Sequence, residues 1–386
     1  MSKLYELIKE LCPNGVEYKT IEEVCEISRG IVISKDFIRD NAGEYPVYSS
    51  QTENEGCLGF INTFKYDGEY LTWTTDGANA GTVFYRNGRF SITNVCGLLK
   101  VIEKNLSSKF LYYALSISAP NYVNRGMGNA KLMSNVMASI KIPIPPLPVQ
   151  EEIVRILDTF TSLTAELTAE LTARRKQYEY YRDALLTRDT KIEQTTLDKI
   201  SENCDSQRKP VTSGNRIKGD YPYYGASGIV DYVNDYIFDG DYLLVSEDGA
   251  NLVARSTPIA FSISGKNWVN NHAHILKFKE SATRKFVEHY LNSINLEKYI
   301  SGGAQPKLNQ QNLNKIPIPL PPLSVQQRIV NVLDNFDAIC SDLKIGLPAE
   351  IDARKKQYEY YRDLLLTFAE RGNTIFTEQN RTEQNR

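Results

Sequence analysis

Two stretches of the chain carry apolar residues at the three- and four-residue spacing of an amphipathic helix. In the first stretch these positions are Ile153, Ile156, Phe160, Leu163, Leu167, Leu171, Tyr178, Tyr181 and Leu185. In the second they are Ile329, Val332, Phe336, Ile339, Leu343, Tyr358, Tyr361 and Leu365. Because a helix with one apolar stripe needs a partner surface, we predict that the two helices pair with each other as an antiparallel coiled coil. Packing of each helix on its own domain is the alternative.

The two helices belong to an internal repeat. The segment RRKQYEYYRDALLT (174–187) recurs as RKKQYEYYRDLLLT (354–367), and IPIPPLPVQEEIVRILDTF (142–160) recurs as IPIPLPPLSVQQRIVNVLDNF (316–336). The regions that precede them diverge but keep the same order of signals, including Tyr-Pro at 45 and 221 and DGAN at 76 and 248. A period near 176 residues that occurs twice indicates a domain duplication.

The divergent regions are predicted to be rich in strands. Short aromatic and β-branched runs bounded by Gly, Asn and Asp predict strands in YPVYSSQ, GEYLTWTTDG, GTVFYRNGRFSI and GLLKVIE. The Asn87-Gly88 pair predicts a hairpin turn inside the third run. Helical spacing follows in KFLYYALSI (109–117) and RKFVEHYLNSI (284–294). We therefore predict two α+β domains at 1–147 and 188–323, repeated helical regions at 148–187 and 324–369, and a polar tail at 370–386.

The two helical regions differ at their middle. The first has Thr-Ala-Glu-Leu twice in tandem at 164–171 and predicts a continuous helix of about 40 residues, or about 60 Å. The second has CSDLKIGLPAEID, where Gly346 and Pro348 predict that the helix ends and restarts.

Composition and charge limit the class of protein. The chain has 386 residues, of which 41% are hydrophobic and 24% are charged, and no apolar run is long enough to span a membrane. Six scattered cysteines indicate reduced thiols in a cytoplasmic protein. The net charge of −2 argues against a broadly basic surface, and each predicted domain is itself nearly neutral. Any surface for nucleic acid must therefore be a local patch.

A search for catalytic motifs finds none. The chain lacks a phosphate-binding P-loop, a dinucleotide-binding glycine motif and the short acidic or amide Pro-Pro-Tyr segment of adenine methyltransferases. His272 and His274 alternate along a predicted strand, but two imidazoles are too few for a zinc site. Asp76 and Asp248 of the DGAN segments fit turns, with contact to a ligand as the alternative. These observations favour a binding protein with neither catalytic residues nor a metal site.

Candidate nucleic-acid contacts lie in polar loops that recur in both divergent domains. Arg, Lys, Asn, Gln and Ser are side chains that contact base edges and phosphates. In the first domain the candidates are Arg29, Lys35, Ser49, Ser50, Gln51, Asn79, Arg125, Asn129 and Lys131. In the second they are Arg208, Lys209, Arg216, Lys218, Tyr224, Ser227, Asn251, Gln305 and Lys307. For each residue alone, an ordinary solvated loop position is the alternative.

Divergent domains separated by the near-identical IPIPPLPVQEEIVRILD and RRKQYEYYRDALLT segments resemble the specificity subunit of type I restriction–modification enzymes. The TAEL repeats resemble the subgroup called type IC. The resemblance implies two target-recognition domains that each read one half of a bipartite double-stranded DNA site. It also implies helices that act as a ruler between the domains, while the repeated helical regions dock the partner subunits.

The resemblance extends to partners and cofactors. It implies two methyltransferase subunits that bind S-adenosylmethionine, and restriction subunits that use ATP and magnesium. This chain itself would be non-catalytic, bind no cofactor and work in a bacterial or archaeal cytoplasm. A scaffold that gathers proteins and binds no DNA is the main rival, and the nearly neutral charge is its best argument.

Overall fold

The computed structural model describes residues 2–126, 128–187, 192–303 and 305–368, so the predicted polar tail lies outside the described residues. The chain divides into two compact units, Met1–Glu166 with Asp352–Arg386, and Leu167–Ile351. Each unit thus contains the beginning of one repeated helical region and the end of the other. Each compact unit includes parts of both repeated helical regions, so its limits differ in kind from those of the predicted domains. The domain limits drawn from the sequence therefore stay predictions.

The first unit is built from a sheet, short helices and part of a long helix. Its elements, in chain order, are α1 (Ser2–Leu11), β1 (Glu17–Thr20), α2 (Ile21–Val24), β2 (Cys25–Arg29), α3 (Lys35–Asp40), β3 (Ala42–Tyr48), β4 (Cys57–Ile61), β5 (Tyr66–Thr74), β6 (Val83–Ile92), β7 (Cys96–Val101), α4 (Ser108–Ser118), α5 (Ser134–Ser139), β8 (Lys141–Ile144) and α6 (Leu147–Thr187). Helix α4 confirms the helix predicted over 109–117. Helix α1 was not predicted; it buries Leu4 and Ile8, which lie one turn apart on the same face.

The second unit repeats this order of elements. They are β9 (Gln194–Thr195), α7 (Leu197–Ile200), β10 (Ser201–Asn203), β11 (Lys218–Gly225), β12 (Gly228–Val233), β13 (Phe238–Asp239), β14 (Tyr242–Ser246), α8 (Asn251–Ala254), β15 (Ala260–Ile263), β16 (Lys266–Val269), β17 (Ala273–Phe278), α9 (Ser281–Ser293), α10 (Gln310–Leu313), β18 (Ile318–Pro319), α11 (Leu323–Ser341) and α12 (Leu347–Leu366). Helix α12 continues into the first unit from Asp352 onwards. Helix α9 confirms the helix predicted over 284–294.

The main sheet of the first unit has the strand order β2-β7-β5-β6-β3-β4. Its neighbours are antiparallel except β3 and β6, which run parallel through Val47 and Tyr48. Helix α4 packs on β5 and β6 and buries Phe110 and Leu115 against Trp73. The same core includes residues from the start of α6. The sheet is therefore fixed to the long helix by a shared apolar core.

The second unit keeps this strand order but divides it between two sheets, β10-β17-β14-β15 and β12-β11-β16-β13. Strands β15 and β16 together take the place of β6, because β15 pairs with β14 and β16 pairs in parallel with β11. The break between them falls at Gly265, whose φ is +74°. The two units are thus versions of one α+β design, which confirms the predicted duplication.

The predicted hairpin at Asn87-Gly88 is wrong. Strand β6 runs without interruption through this pair, and Gly88 lies opposite Gly68 of β5. Both glycines have positive φ, +107° and +123°, a conformation that glycine adopts without steric cost. The pair of glycines therefore accommodates positive φ at adjacent positions of two strands while their pairing continues on either side. The β5–β6 connection lies instead at the DGAN loop (75–82).

The helices confirm the predicted pairing of the two repeats. In the first unit Phe160 of α6 stacks on Tyr361 of α12, with ring centroids 5.4 Å apart. In the second unit the equivalent Phe336 of α11 stacks on Tyr181 of α6, with centroids 5.7 Å apart. Each repeat thus supplies the phenylalanine for one contact and the tyrosine for the other. In the second unit the charge of Arg175 on α6 acts on the thiol of Cys340 on α11. Farther along α6, Tyr181 stacks on Phe336, which precedes Cys340 on α11. The two helices are therefore antiparallel.

Several residues of the predicted stripes are exposed, among them Leu185 of the first stripe, whose neighbour Leu186 is buried instead. Val332 and Ile339 are 40% and 41% exposed on α11, and their neighbours Leu333 and Cys340 are buried instead. Helix α11 packs against α9 as well as α6, so its buried face is wider than one seam and is displaced by one residue. Leu343 is 81% exposed in the turn that follows α11. A role for any stripe residue in contacts with other subunits stays a prediction.

The turn between α11 and α12 confirms the predicted helix break. The Asp342 carboxylate accepts hydrogen bonds from the backbone N–H groups of Lys344 and Ile345, at 2.6 and 3.1 Å. A Cβ on Gly346 would lie 2.5 Å from the Ala338 carbonyl oxygen, so this close approach requires glycine. Helix α12 then restarts at Leu347 with proline as its second residue.

An aspartate of each repeated helix anchors the domain that precedes it. Asp158 of α6 accepts hydrogen bonds from Lys109 Nζ and the Tyr113 hydroxyl of α4, at 2.6 and 2.7 Å. The equivalent Asp334 of α11 lies 2.8 Å from Nε2 of His289 of α9. Burial and the Asp158 carboxylate raise the pKa of Tyr113, so this hydroxyl stays protonated and donates. Each domain is therefore held to its helix by a polar contact at the same position.

A buried glutamine links each proline-rich segment to its helix. Gln150 donates from Nε2 to the carbonyl oxygens of Pro145 and Asn105, at 2.7 and 2.8 Å, and its Oε1 accepts from Ser107 N–H at 2.9 Å. Gln326 donates to the Pro321 carbonyl at 2.7 Å, but its buried Oε1 has no hydrogen-bond partner among the described residues.

This difference predicts unequal effects of the same substitution. Gln150→Ala removes three hydrogen bonds of a fully buried side chain and should lower the free energy of unfolding by about 3 kcal/mol. Gln326→Ala also relieves an unsatisfied oxygen and should cost about 1 kcal/mol or less. Amide hydrogen exchange of the full chain, compared at α4 and α9, measures both variants in one experiment. Equal losses in the two units would contradict the prediction.

Candidate nucleic-acid interface

The DGAN loop and a polar hairpin meet at one junction in the first unit. Backbone hydrogen bonds join Gly77 N–H to the Ala130 carbonyl and Leu132 N–H to the Thr75 carbonyl, both at 3.0 Å. Asn124 and Lys131 close the hairpin with two reciprocal bonds of 2.9 Å. Arg125, Asn129 and Lys131 are exposed on it. Two polar loops that lie about fifty residues apart in sequence are therefore fixed side by side.

The second unit builds the same junction. Gly249 N–H donates to the Pro306 carbonyl at 3.1 Å, and Leu308 N–H donates to the Glu247 carbonyl at 2.8 Å. Ser301 and Lys307 close the hairpin with reciprocal bonds of 2.8 and 2.7 Å. Gln305 and Lys307 are exposed there. The DGAN segments form turns, as predicted, and this junction is the feature that the two units share.

Further predicted residues surround the junction of the first unit. Asn79 Nδ2 donates to the Thr52 hydroxyl at 2.9 Å, which joins the DGAN loop to the loop that follows β3. In that loop Ser49 accepts from the Thr93 hydroxyl at 2.9 Å, and Gln51 Nε2 donates to the Cys57 carbonyl at 2.5 Å. Ser50 is half-buried between them. These side chains set the shape of the loop through their hydrogen bonds.

Arg86 holds the same loop and was not among the predicted residues. Its guanidinium donates to the Glu55 carbonyl at 2.5 Å and packs over the Tyr48 ring, 3.6 Å from the centroid. Asn54 and Glu55 both have positive φ, a strained conformation for residues other than glycine. Arg86 is 5% exposed and thus fixes a strained loop from within. Arg86 lies next to the Asn87-Gly88 pair, whose local pattern predicts a hairpin and gives no sign of this role.

The charges at the first junction are loosely arranged. The Asp76 carboxylate lies 3.9 Å from the Arg29 guanidinium and 3.7 Å from Lys131 Nζ. Its side chain is 29% exposed, and that of Lys131 is 53% exposed. Two cations thus face one partly solvated carboxylate. Such a cluster has a net positive charge and can attract a phosphate.

The charges at the second junction form a tighter network. Arg208 pairs with Glu247 at 2.6 Å and lies 3.5 Å from Asp205, and Lys307 reaches Glu247 at 3.2 Å. Burial alone would raise the pKa of Asp205 and Glu247, but hydrogen bonds and nearby cations outweigh it and lower both pKa values. Both carboxylates therefore stay charged and hold Arg208 in place.

His274 belongs to this network. Asp205, Glu247 and His274 bring their ligand atoms within 4.8 Å of one another. However, Nδ1 of His274 lies 2.6 Å from Asp205 and Nε2 lies 2.8 Å from the Leu308 carbonyl. Both ring nitrogens therefore already lie within hydrogen-bond distance of oxygen atoms of the protein. The group is better described as a buried network of ion pairs.

The other predicted residues divide into exposed and internally bonded ones. Lys35, Lys209, Lys218 and Ser227 are exposed. Arg216 instead pairs with Asp231 at 3.2 Å, and Asn251 bonds to the backbone of Thr257 at 3.0 Å. Tyr224 packs on Phe261, 6.1 Å between centroids. The side chains of Arg208, Arg216 and Asn251 therefore shape the loops from within, and contact of any predicted residue with DNA stays a prediction.

Different residues of the underlying sheet hold the two junctions in place through hydrogen bonds to the hairpin. In the first unit Trp73 Nε1 donates to the Leu132 carbonyl at 3.0 Å, and its ring covers Gly97 of the neighbouring strand. In the second unit the pair at the same place is Val245 and His274, and His274 Nε2 bonds the Leu308 carbonyl. The hydrogen-bond donor is thus on β5 in the first unit and on β17, the equivalent of β7, in the second, and the residue paired with it is the smaller one in each case. The backbone of the junction is the same in the two units although its support is not.

Comparisons with known proteins agree with this architecture. The family model of the type I restriction modification DNA specificity domain matches twice, over residues 13–174 and 191–353. A putative type I specificity subunit of Mycoplasma pneumoniae is 35% identical over 360 residues, which are 91% of this chain and 97% of the relative. A second from the same organism is 33% identical and covers 81% of this chain and 98% of the relative.

A solved structure shares the fold. The crystal structure of a type I restriction–modification S subunit from M. genitalium matches with a TM-score of 0.60 at 18% identity, and covers 92% of this chain and 96% of that one. The chain belongs to the family of specificity subunits of type I restriction–modification systems. Members of this family are non-catalytic, which agrees with the lack of catalytic motifs in the sequence. Among the described helices none is long and apolar enough to cross a membrane.

Proposed function

We propose that each unit reads one half of a bipartite double-stranded DNA site and that the paired helices set the gap between the halves. The observation that carries this proposal is the repeated junction. Both units join a DGAN loop to a lysine-bearing hairpin with equivalent backbone bonds, while the side chains around it differ. A constant frame with variable side chains suits two readers of different short sequences.

The same proposal covers partners and cofactors. Two methyltransferase subunits would dock on the helices, and restriction subunits would join them in the cytoplasm. S-adenosylmethionine, ATP and magnesium would be bound by those partners. Exposed apolar residues on the helices, such as Val332, Ile339 and Tyr360, support such docking.

An exchange of one domain tests the two-reader proposal. Residues 1–147 are replaced by the equivalent segment of another specificity subunit, and the chimaera is expressed with its methyltransferase. Sequencing of methylated adenines should show that one half of the motif changes while the other half and the gap stay the same. The reciprocal exchange of 188–323 is the matched control and should change only the other half. A chimaera that alters both halves would contradict the proposal.

A protein scaffold remains the second candidate, since the chain carries 45 basic and 47 acidic side chains. Salt dependence separates the two functions. DNA binding by the assembled complex should weaken steeply as salt rises, because each neutralised phosphate releases counterions. Assembly with the methyltransferase subunits measured in parallel should change far less.

A further inference from the structure

His272 stands beside the junction of the second unit in a position that the first unit fills with an apolar residue. Its carbonyl accepts the hydrogen bond from Glu247 N–H at 2.9 Å, just as the Val95 carbonyl accepts the bond from Thr75 N–H at 3.2 Å. The two residues therefore occupy equivalent places before strands β17 and β7. The second junction has gained an ionisable side chain there.

Asp248 of the DGAN segment holds the imidazole in one orientation. Nδ1 of His272 lies 2.8 and 3.0 Å from the two carboxylate oxygens of Asp248. Because a carboxylate only accepts, Nδ1 carries the hydrogen and donates. The His272 side chain is 51% exposed, so Nε2 remains available to a partner from outside. When the ring is protonated, both nitrogens donate at once, one to Asp248 and one outwards.

This arrangement replaces the cations of the first junction. There the DGAN aspartate, Asp76, faces Arg29 and Lys131. In the second unit Asp205 stands at the strand position of Arg29, and Lys307, the equivalent of Lys131, turns with Arg208 to Glu247 instead. His272 is then the cation in contact with the DGAN aspartate. The cations that face the DGAN aspartate of the first unit, Arg29 and Lys131, are always charged. The cation that contacts the DGAN aspartate of the second unit is His272, whose charge depends on protonation.

We propose that protonated His272 donates from Nε2 to a backbone phosphate of the half-site bound by the second unit, with Asp248 as its positioning residue. This inference rests on the proposed DNA-reading function. Among the described residues, Asp248 contacts His272, and the neighbouring network of Glu247, Asp205, Arg208 and Lys307 neutralises itself in part. Imidazole carries a positive charge only when it is protonated, so the contact should be stronger at lower pH than at higher pH.

The test measures DNA affinity of the complete complex as a function of salt and pH. The probe is a duplex that carries the motif found by methylation sequencing. At pH 6 the slope of log affinity against log salt should be steeper by about 0.9 than at pH 8. His272→Gln should show the shallower slope at both pH values and bind about tenfold more weakly at pH 6. His272→Lys carries a permanent charge and should keep the steeper slope at both.

Controls separate this inference from the proposed function. Val95→His adds a histidine at the equivalent place in the first unit, where Asp76 already faces two cations, and should leave the pH dependence unchanged. A complex that binds DNA with the same slope at both pH values, in wild type and in His272→Gln, would overturn the inference alone. Failure of the complex to bind any duplex would overturn the proposed function. A change in the methylated motif for His272→Gln would show a base contact and also overturn the phosphate assignment.

Discussion

Insertion of a third Thr-Ala-Glu-Leu unit after Leu171 should lengthen the gap of the methylated motif by one or two base pairs. Helix α6 is continuous over 41 residues and contributes to both units. Four added residues extend it by about 6 Å and rotate its C-terminal part by about 40°, because one turn contains about 3.6 residues. A base pair rises by about 3.4 Å, so the two half-sites should be found farther apart.

A two-residue insertion of Thr-Ala at the same place is the matched control. It lengthens the helix by only about 3 Å but rotates its C-terminal part by about 200°. Methylation should then be lost, because the readers would face different sides of the duplex. The measurement is methylated-adenine sequencing in cells that carry each variant and the methyltransferase. An unchanged gap in the four-residue variant would show that the helices do not set the spacing.

Substitutions of Trp73 and Gly97, the pair that supports the first junction, should give the largest change in the free energy of unfolding. Trp73→Val removes a fully buried indole and leaves the Leu132 carbonyl without its donor, at a cost of about 3–5 kcal/mol. Gly97→His alone should cost at least about 3 kcal/mol, since its Cβ would lie 2.2 Å from the Trp73 ring. Each variant leaves one half of the pair mismatched.

The double variant Trp73→Val with Gly97→His recreates the pair found in the second unit. It should be more stable than the sum of the single losses predicts, by about 2 kcal/mol, because the imidazole fills the space and can bond the Leu132 carbonyl. Rescue should be partial, since His274 also has Asp205 as a partner. Hydrogen exchange of amides in β5 and β7 reports these energies within the first unit. If the double variant loses as much free energy of unfolding as the two single variants together, the pair of the second unit cannot replace Trp73 and Gly97.

Much of the architecture followed from patterns along the chain. Repeated segments predicted the duplication, and apolar residues three or four positions apart predicted α4, α9 and the paired helices, because helical periodicity depends on local spacing. Gly346 and Pro348 predicted the break before α12, since the backbone preferences of these two residues are intrinsic. The resemblance in the helices was also sufficient to identify the family.

Only the tertiary structure decided the details of the candidate site. Asn87-Gly88 predicts a hairpin locally, but Gly68 on the neighbouring strand lets the same pair continue β6. Val332 and Leu333 are both apolar, and packing of α11 on α9 decides that Leu333 is buried. Similarly, the sequence predicts Arg208 as a nucleic-acid contact, whereas Glu247, distant in sequence, pairs with it. Local preferences determine which elements form, but contacts between distant residues determine which side chains remain exposed at the candidate interface.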